Sequence, residues 1–212
     1  AVDKAAGVSQ ILAMARAFSE LPEPPKRSVL FLFVAAEEQG LLGSEYYAKN
    51  PLYPLNKTVA NINIDAMNPY GRTKDLVIVG MGASELDDYA KEVAAEQGRT
   101  LKPDPEPEKG YYYRSDHFNF AKVGVPALYA DGGVEYAGKP SDWGRKTLDE
   151  YTATRYHQPQ DQVLDTWDLS GLAEDATFFF AVGYRVANAD KMPAWREGNE
   201  FKAIRDKSLG GR

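Results

Sequence analysis

The 212-residue chain carries 31 acidic against 25 basic side chains, a formal net charge of −6, with 43% hydrophobic and 26% charged residues. That length suits one large domain, and the composition excludes a disordered chain or a fibre. The acidic balance argues against nucleic acid or an anionic membrane as main partner. The absence of cysteine excludes disulfides, thiolate metal ligands and a cysteine nucleophile.

The sequence opens abruptly at Ala1-Val2-Asp3 inside what reads as a helix entry, so a piece of something longer is expected. Val8, Ile11, Leu12, Ala15 and Phe18 recur at helical spacing and predict an amphipathic helix over 5–21. Pro22, Pro24 and Pro25 stop it. The run 28–36, SVLFLFVAA, is almost continuously apolar and predicts a central strand buried on both faces. A helix is expected over 41–49, strands over 59–65 and 76–80, and a helix over 85–97 ended by Gly98. Residues 102–109, KPDPEPEK, read as a surface loop, followed by a short strand over 126–130. Residues 132–162 read as one long polar, aromatic-rich loop, and a last helix is expected over 170–188. Nothing longer than the 28–36 run suggests a membrane span, which needs roughly 20 apolar residues.

Strands alternating with helices predict a three-layer α/β sandwich with a mostly parallel central sheet. One domain over 1–192 is expected, with a loosely packed polar tail over 193–212.

In such a sheet, ligands bind beyond the carboxyl ends of the strands. The 28–36 run ends in Glu37-Glu38, the 59–65 strand ends in Asp65, and Asp3 precedes the first helix. One crevice could therefore gather four carboxylates. Each also has a plain structural reading: Asp3 as a helix cap, the Glu pair as macrodipole stabilisation, Asp65 as a solvated strand end. Against these stands the period-two placement of Asn61, Asn63 and Asp65 on one strand face, unusual for a central strand.

Crowded carboxylates resist ionisation unless cations hold them, and a pair of divalent ions resolves the conflict. Histidine is the expected further ligand. His157 sits in the long polar loop, where no regular element explains it, and is favoured for that role. Asp116 and His117 are read as lying behind the ligands, with Ser115 or Asp116 capping a helix. Of the adjacent glutamates, one can bind metal while the other takes a proton from water. Tyr136, Trp143 and Tyr151 either wall a pocket for apolar side chains or pin their loop to the domain. Arg155 or Arg114 is a further candidate, for a substrate carboxylate.

The series Asp3-Lys-Ala-Ala-Gly7, AEEQGLLGS over 36–44, Asn63-Ile64-Asp65, Ser115-Asp116-His117 and Tyr156-His157 resembles the co-catalytic di-zinc aminopeptidases. That group includes bacterial leucyl aminopeptidases, glutamate carboxypeptidases and transferrin-receptor relatives. The resemblance implies a zinc-peptidase-type fold of the phosphorylase/hydrolase-like kind, and hydrolysis of the N-terminal peptide bond of a peptide substrate. Asp3 would bridge two zinc ions, Glu38 and His157 would complete one site, and Asp65 would serve the other. Glu37 would be the general base and Tyr156 an oxyanion donor.

The pattern departs from the family in three respects. Family members supply another histidine from a His-x-Asp motif upstream of the bridging aspartate, which does not occur in these 212 residues; the Asp65 site is then expected to hold metal poorly, and one zinc or none is expected in this chain. Lys4 stands where asparagine or aspartate is usual. The strands that precede that motif are likewise missing, so an exposed sheet edge is expected to favour association. Alternative readings are a non-catalytic module on the same fold, a fragment left inactive without the upstream ligand, and the related deacylase and dipeptidase group. By resemblance alone, a periplasmic or secreted location is expected.

Overall fold

A computed structural model describes residues 1–66 and 68–210. After a turn over Val2–Ala6, helix α1 runs Gly7–Ser19 and α2 Leu42–Lys49. Strand β1 is Asn61–Asn63, β2 Asp75–Val79, β3 Thr100–Pro103 and β4 Ala127–Gly132. Helices α3 Leu86–Glu96, α4 His117–Lys122, α5 Trp143–Thr154, α6 Ser170–Asn188 and α7 Lys202–Ser208 complete the chain.

The sheet order is β1-β4-β2-β3. Pairings β1–β4 and β2–β3 are parallel and β2–β4 is antiparallel, so the sheet is mixed. Helices α1 and α3 pack on α6 over one face, where Phe178, Phe179 and Val182 of α6 meet Leu76, Ile78, Leu128 and Ala130 of the strands. Full burial of each of the larger side chains contributes roughly 1.5–3 kcal/mol. The other face carries α4, which contacts β4 and β1 and also α2. Period-two alternation divides the strands between these layers: Ile62 and Ile64 pack against the α1/α3/α6 side, which leaves Asn61, Asn63 and Asp65 for the other.

Four expectations are corrected. Residues 28–36 carry no regular secondary structure, and among the described residues no strand pairs with them. Val29, Leu30 and Phe33 are exposed there, while only Phe31 and Leu32 lean on the core clusters. Apolar β-branched and aromatic composition favours extended backbone, yet a ladder needs a hydrogen-bonding neighbour. The 132–162 segment is not one loop: α5 forms within it, supported by Lys146–Asp142 and Arg145–Asp149 pairs one helical turn apart. Residues 100–103 form β3, an edge strand, where Pro103 is tolerated.

The tail packs closely rather than loosely. Trp195 and Phe201 are buried with Ala121 and Ala127, and the Trp195 indole donates to the Gly124 carbonyl at 2.9 Å. Arg205 donates to the Leu55 and Thr58 carbonyls at 3.0 and 2.8 Å. Within the expected tail, residues 211 and 212 lie outside the described set.

Candidate metal centre and active site

Two glycines let the chain bring its carboxylates together. A Cβ on Gly7 would meet the Asp65 carbonyl oxygen at 2.4 Å, so only glycine lets α1 begin directly over the end of β1. A Cβ on Gly43 would meet the Ala35 backbone at 2.5 Å, so only glycine lets α2 start against the end of the 28–36 segment. Between them, Glu37 and Glu38 occupy a tight turn closed by Gly40 and Leu41 N–H groups donating to the Glu37 carbonyl.

Asp3 has extended backbone (φ −97°, ψ 110°) inside the turn that leads into α1, and its peptide bond to Lys4 is cis. His157 comes from the far end of the chain with φ 56°. Its Nε2 lies 3.3 Å from Asp3 Oδ2 and 2.9 Å from Glu38 Oε1. One donor atom from each of Asp3, Glu38 and His157 falls within 4.8 Å of the others. Two carboxylates and one imidazole are a donor set suited to zinc, and three protein ligands leave a coordination position open. Burial raises the Asp3 carboxyl above its ordinary value, against the pull of Lys4, and Asp65 and Glu38 add to the rise. A bound cation would relieve that crowding.

Asp65, the fourth expected ligand, is engaged differently. Its Oδ1 pairs with Lys4 Nζ at 2.9 Å, and the same Nζ lies 2.9 Å from Glu37 Oε2. The other oxygen, Oδ2, accepts from Ser115 Oγ at 2.7 Å, and Ser115 Oγ accepts from Asn63 Nδ2 at 2.9 Å. Burial acts to lower the Lys4 ammonium's pKa, but Asp65 and Glu37 overcome it and hold the amine protonated. Glu37 is raised by burial, partly offset by Lys4.

Tyr156 lays its ring on the His157 imidazole, with centroids 3.7 Å apart. Asp116 Oδ1 accepts from buried Ser44 Oγ at 2.6 Å, and Asn119 Nδ2 donates to the same Ser44 oxygen. Neither Ser115 nor Asp116 caps α4 with its side chain; both reach sideways into this polar network. His117 is fully buried against Tyr112 and Tyr129, and among the described residues neither ring nitrogen has a well-formed hydrogen bond. Burial outweighs the nearby Asp65 charge and pushes its pKa down to about 3.

Asp3, Lys4, Glu37, Glu38, His157 and Asp161 line a cleft of about 600 Å³. Tyr136 and Trp143 pack edge-on against each other and are not in that lining. Arg155 is not in the lining either. Buried Tyr151 instead donates to Asp161 Oδ2 at 3.2 Å.

Asp161 is the functional-looking residue that sequence reasoning passed over. Its carboxylate accepts from the backbone N–H groups of Val2 and Asp3 at 3.1 and 3.3 Å. The available signal was its position four residues after His157 in His-Gln-Pro-Gln-Asp. Ser115 and the Lys4 pairing were visible as residues but not as contacts.

A family model described as "Peptidase family M28" matches residues 1–179. Among solved structures, the chain is similar to an aminopeptidase from Aneurinibacillus sp. strain AM-1. That match has a TM-score of 0.64 and 22% identity, over 90% of this chain and 40% of that one. It is also similar to the Legionella pneumophila LapA aminopeptidase, at TM-score 0.65 and 17% identity, over 90% of this chain and 47% of that one. A second LapA structure matches at TM-score 0.65 and 18% identity, over 88% and 48%. At these identities the likeness is one of fold. The chain spans less than half the length of these structures.

Proposed function

The chain belongs to peptidase family M28, and from that premise we propose that it carries the metal centre of a zinc-dependent aminopeptidase. The observation that supports this most is the meeting of Asp3, Glu38 and His157 donor atoms, from three distant parts of the chain, within 4.8 Å. Asp3, Glu38 and His157 would hold the ion. Zinc bound there would polarise a peptide carbonyl and lower the pKa of a water molecule.

The rest of the chemistry is assigned to this chain's side chains. Glu37, beside the ligand Glu38 and lining the same cleft, takes the proton from the attacking water. As the C–N bond breaks, that proton goes to the leaving amine, and the carbonyl carbon keeps the water oxygen. The Tyr156 hydroxyl donates to the developing oxyanion; its ring is fixed on His157. The substrate is a peptide with a free N-terminus. Export from the cytoplasm goes with this reading by resemblance.

Zinc uptake and release of a chromophoric amine from an aminoacyl anilide test the proposal. Glu37→Gln should keep its zinc and lose about 10²–10⁴-fold in turnover, the contribution of a positioned base. Unchanged turnover in that variant removes the base assignment. No uptake by the parent chain at micromolar zinc removes the metal reading.

A further inference from the structure

Formal charge makes the cleft a problem for which one divalent ion is not a full solution. Asp3, Glu37 and Glu38 line it and Asp65 is joined to Glu37 behind it, and an ion on Asp3, Glu38 and His157 leaves Glu37 and Asp65 without a metal cation. Those two already share an ammonium. Lys4 Nζ sits 2.9 Å from Glu37 Oε2 and 2.9 Å from Asp65 Oδ1, with its side chain one-third exposed. An ammonium has three donors and no lone pair to offer a metal, so while it stays there a second ion has no place between those carboxylates. Asp65 is turned towards this arrangement by Ser115, which holds its other oxygen.

We propose that the Lys4 ammonium is the second cation of this centre: one divalent ion on Asp3, Glu38 and His157, and Lys4 in place of another between Glu37 and Asp65. The proposal rests on the metal reading above and narrows it to a one-ion site with a built-in positive partner. Lys4 then positions Glu37 and Asp65 rather than touching the reacting atoms.

Zinc counting and amine labelling on the intact chain test this without reference to turnover. After equilibration with excess zinc and dialysis, elemental analysis should find one ion per chain. Lys4 should react with acetic anhydride several-fold more slowly than Lys146, whose side chain is 76% exposed, both with and without zinc. Two ions per chain with Lys4 labelled as fast as Lys146 would overturn the proposal. No zinc at all would sink the underlying metal reading and the proposal with it, so the ion count (none against two) tells the failures apart. Lys4→Met should let a second ion bind between Glu37 and Asp65, weakly for want of a histidine there, as a second step in calorimetric zinc titration; a titration that still fits one ion removes Lys4 as the group excluding the second. The labelling of the parent chain decides the matter even if that variant does not fold.

Discussion

Asp161 accepts a hydrogen bond from the backbone N–H of Asp3 at 3.3 Å, across 158 residues of chain. It accepts from the Val2 N–H as well, and buried Tyr151 donates to it from α5. The ligand-bearing turn is thus held from outside by one carboxylate. Partners that orient a metal ligand commonly contribute 10–100-fold in affinity. Asp161→Ala should therefore weaken zinc binding by about 10–100-fold with little change in far-UV circular dichroism. Calorimetric titration with zinc reads this directly, and unchanged affinity would reduce Asp161 to a packing role.

Removing a ligand itself should exceed that effect. His157→Ala and Asp3→Ala each delete one of three donors that lie within 4.8 Å of one another. Loss of zinc affinity greater than about 100-fold is expected for either, beyond the upper end for indirect partners. Asp65→Asn should cost much less, because Asp65 engages Lys4 and Ser115 rather than the three-donor group. Equal losses in all three variants would place Asp65 among the direct ligands.

His117 gives a pH dependence with a definite sign. Its folded pKa is pushed from the ordinary 6.5 down to about 3 by burial, so between those values the unfolded chain binds the extra proton. Stability present above pH 6.5 is then lost as the pH falls towards 3, at about 1.4 kcal/mol per unit. Buried Asp175, pushed up by burial to about 6, acts with the opposite sign, so a difference between two proteins is the proper readout. His117→Phe keeps an aromatic ring against Tyr112 and Tyr129. Urea unfolding from pH 7 to 4 should show the parent losing stability more steeply than the variant. Parallel profiles would mean that His117 does not resist protonation.

The sequence made the layered fold and most of the centre readable because both are written in local patterns. Asn61, Asn63 and Asp65 alternate with Ile62 and Ile64, and the two sets do divide between the faces of β1. The 170–188 helix was legible to its ends because apolar spacing runs its full length. Periodicity carries no information on whether an apolar run finds a neighbour, so the unpaired state of 28–36 was invisible. Helix α5 was hidden for another reason: it rests on exposed charge pairs more than on an apolar stripe. Lys4 and Asp161 act through contacts between chain segments that no spacing rule links.

The same blindness applies to the buried ion pair that ties the entry of β3 to α6. Arg99 is 4% and Asp175 1% exposed; Arg99 Nη1 lies 2.7 Å from Asp175 Oδ1. Its other nitrogen donates to Thr73 Oγ1 and the Asp75 carbonyl at 2.7 and 3.0 Å. Deleting one partner leaves a buried charge unpaired, which costs about 3–5 kcal/mol. Asp175→Leu should be destabilised by that amount in urea unfolding. A well-packed apolar pair avoids the unpaired charge, so Arg99→Met combined with Asp175→Leu should recover part of the loss. If the double variant is no more stable than Asp175→Leu alone, the loss lies in packing or in the Thr73 and Asp75 hydrogen bonds rather than in the stranded guanidinium.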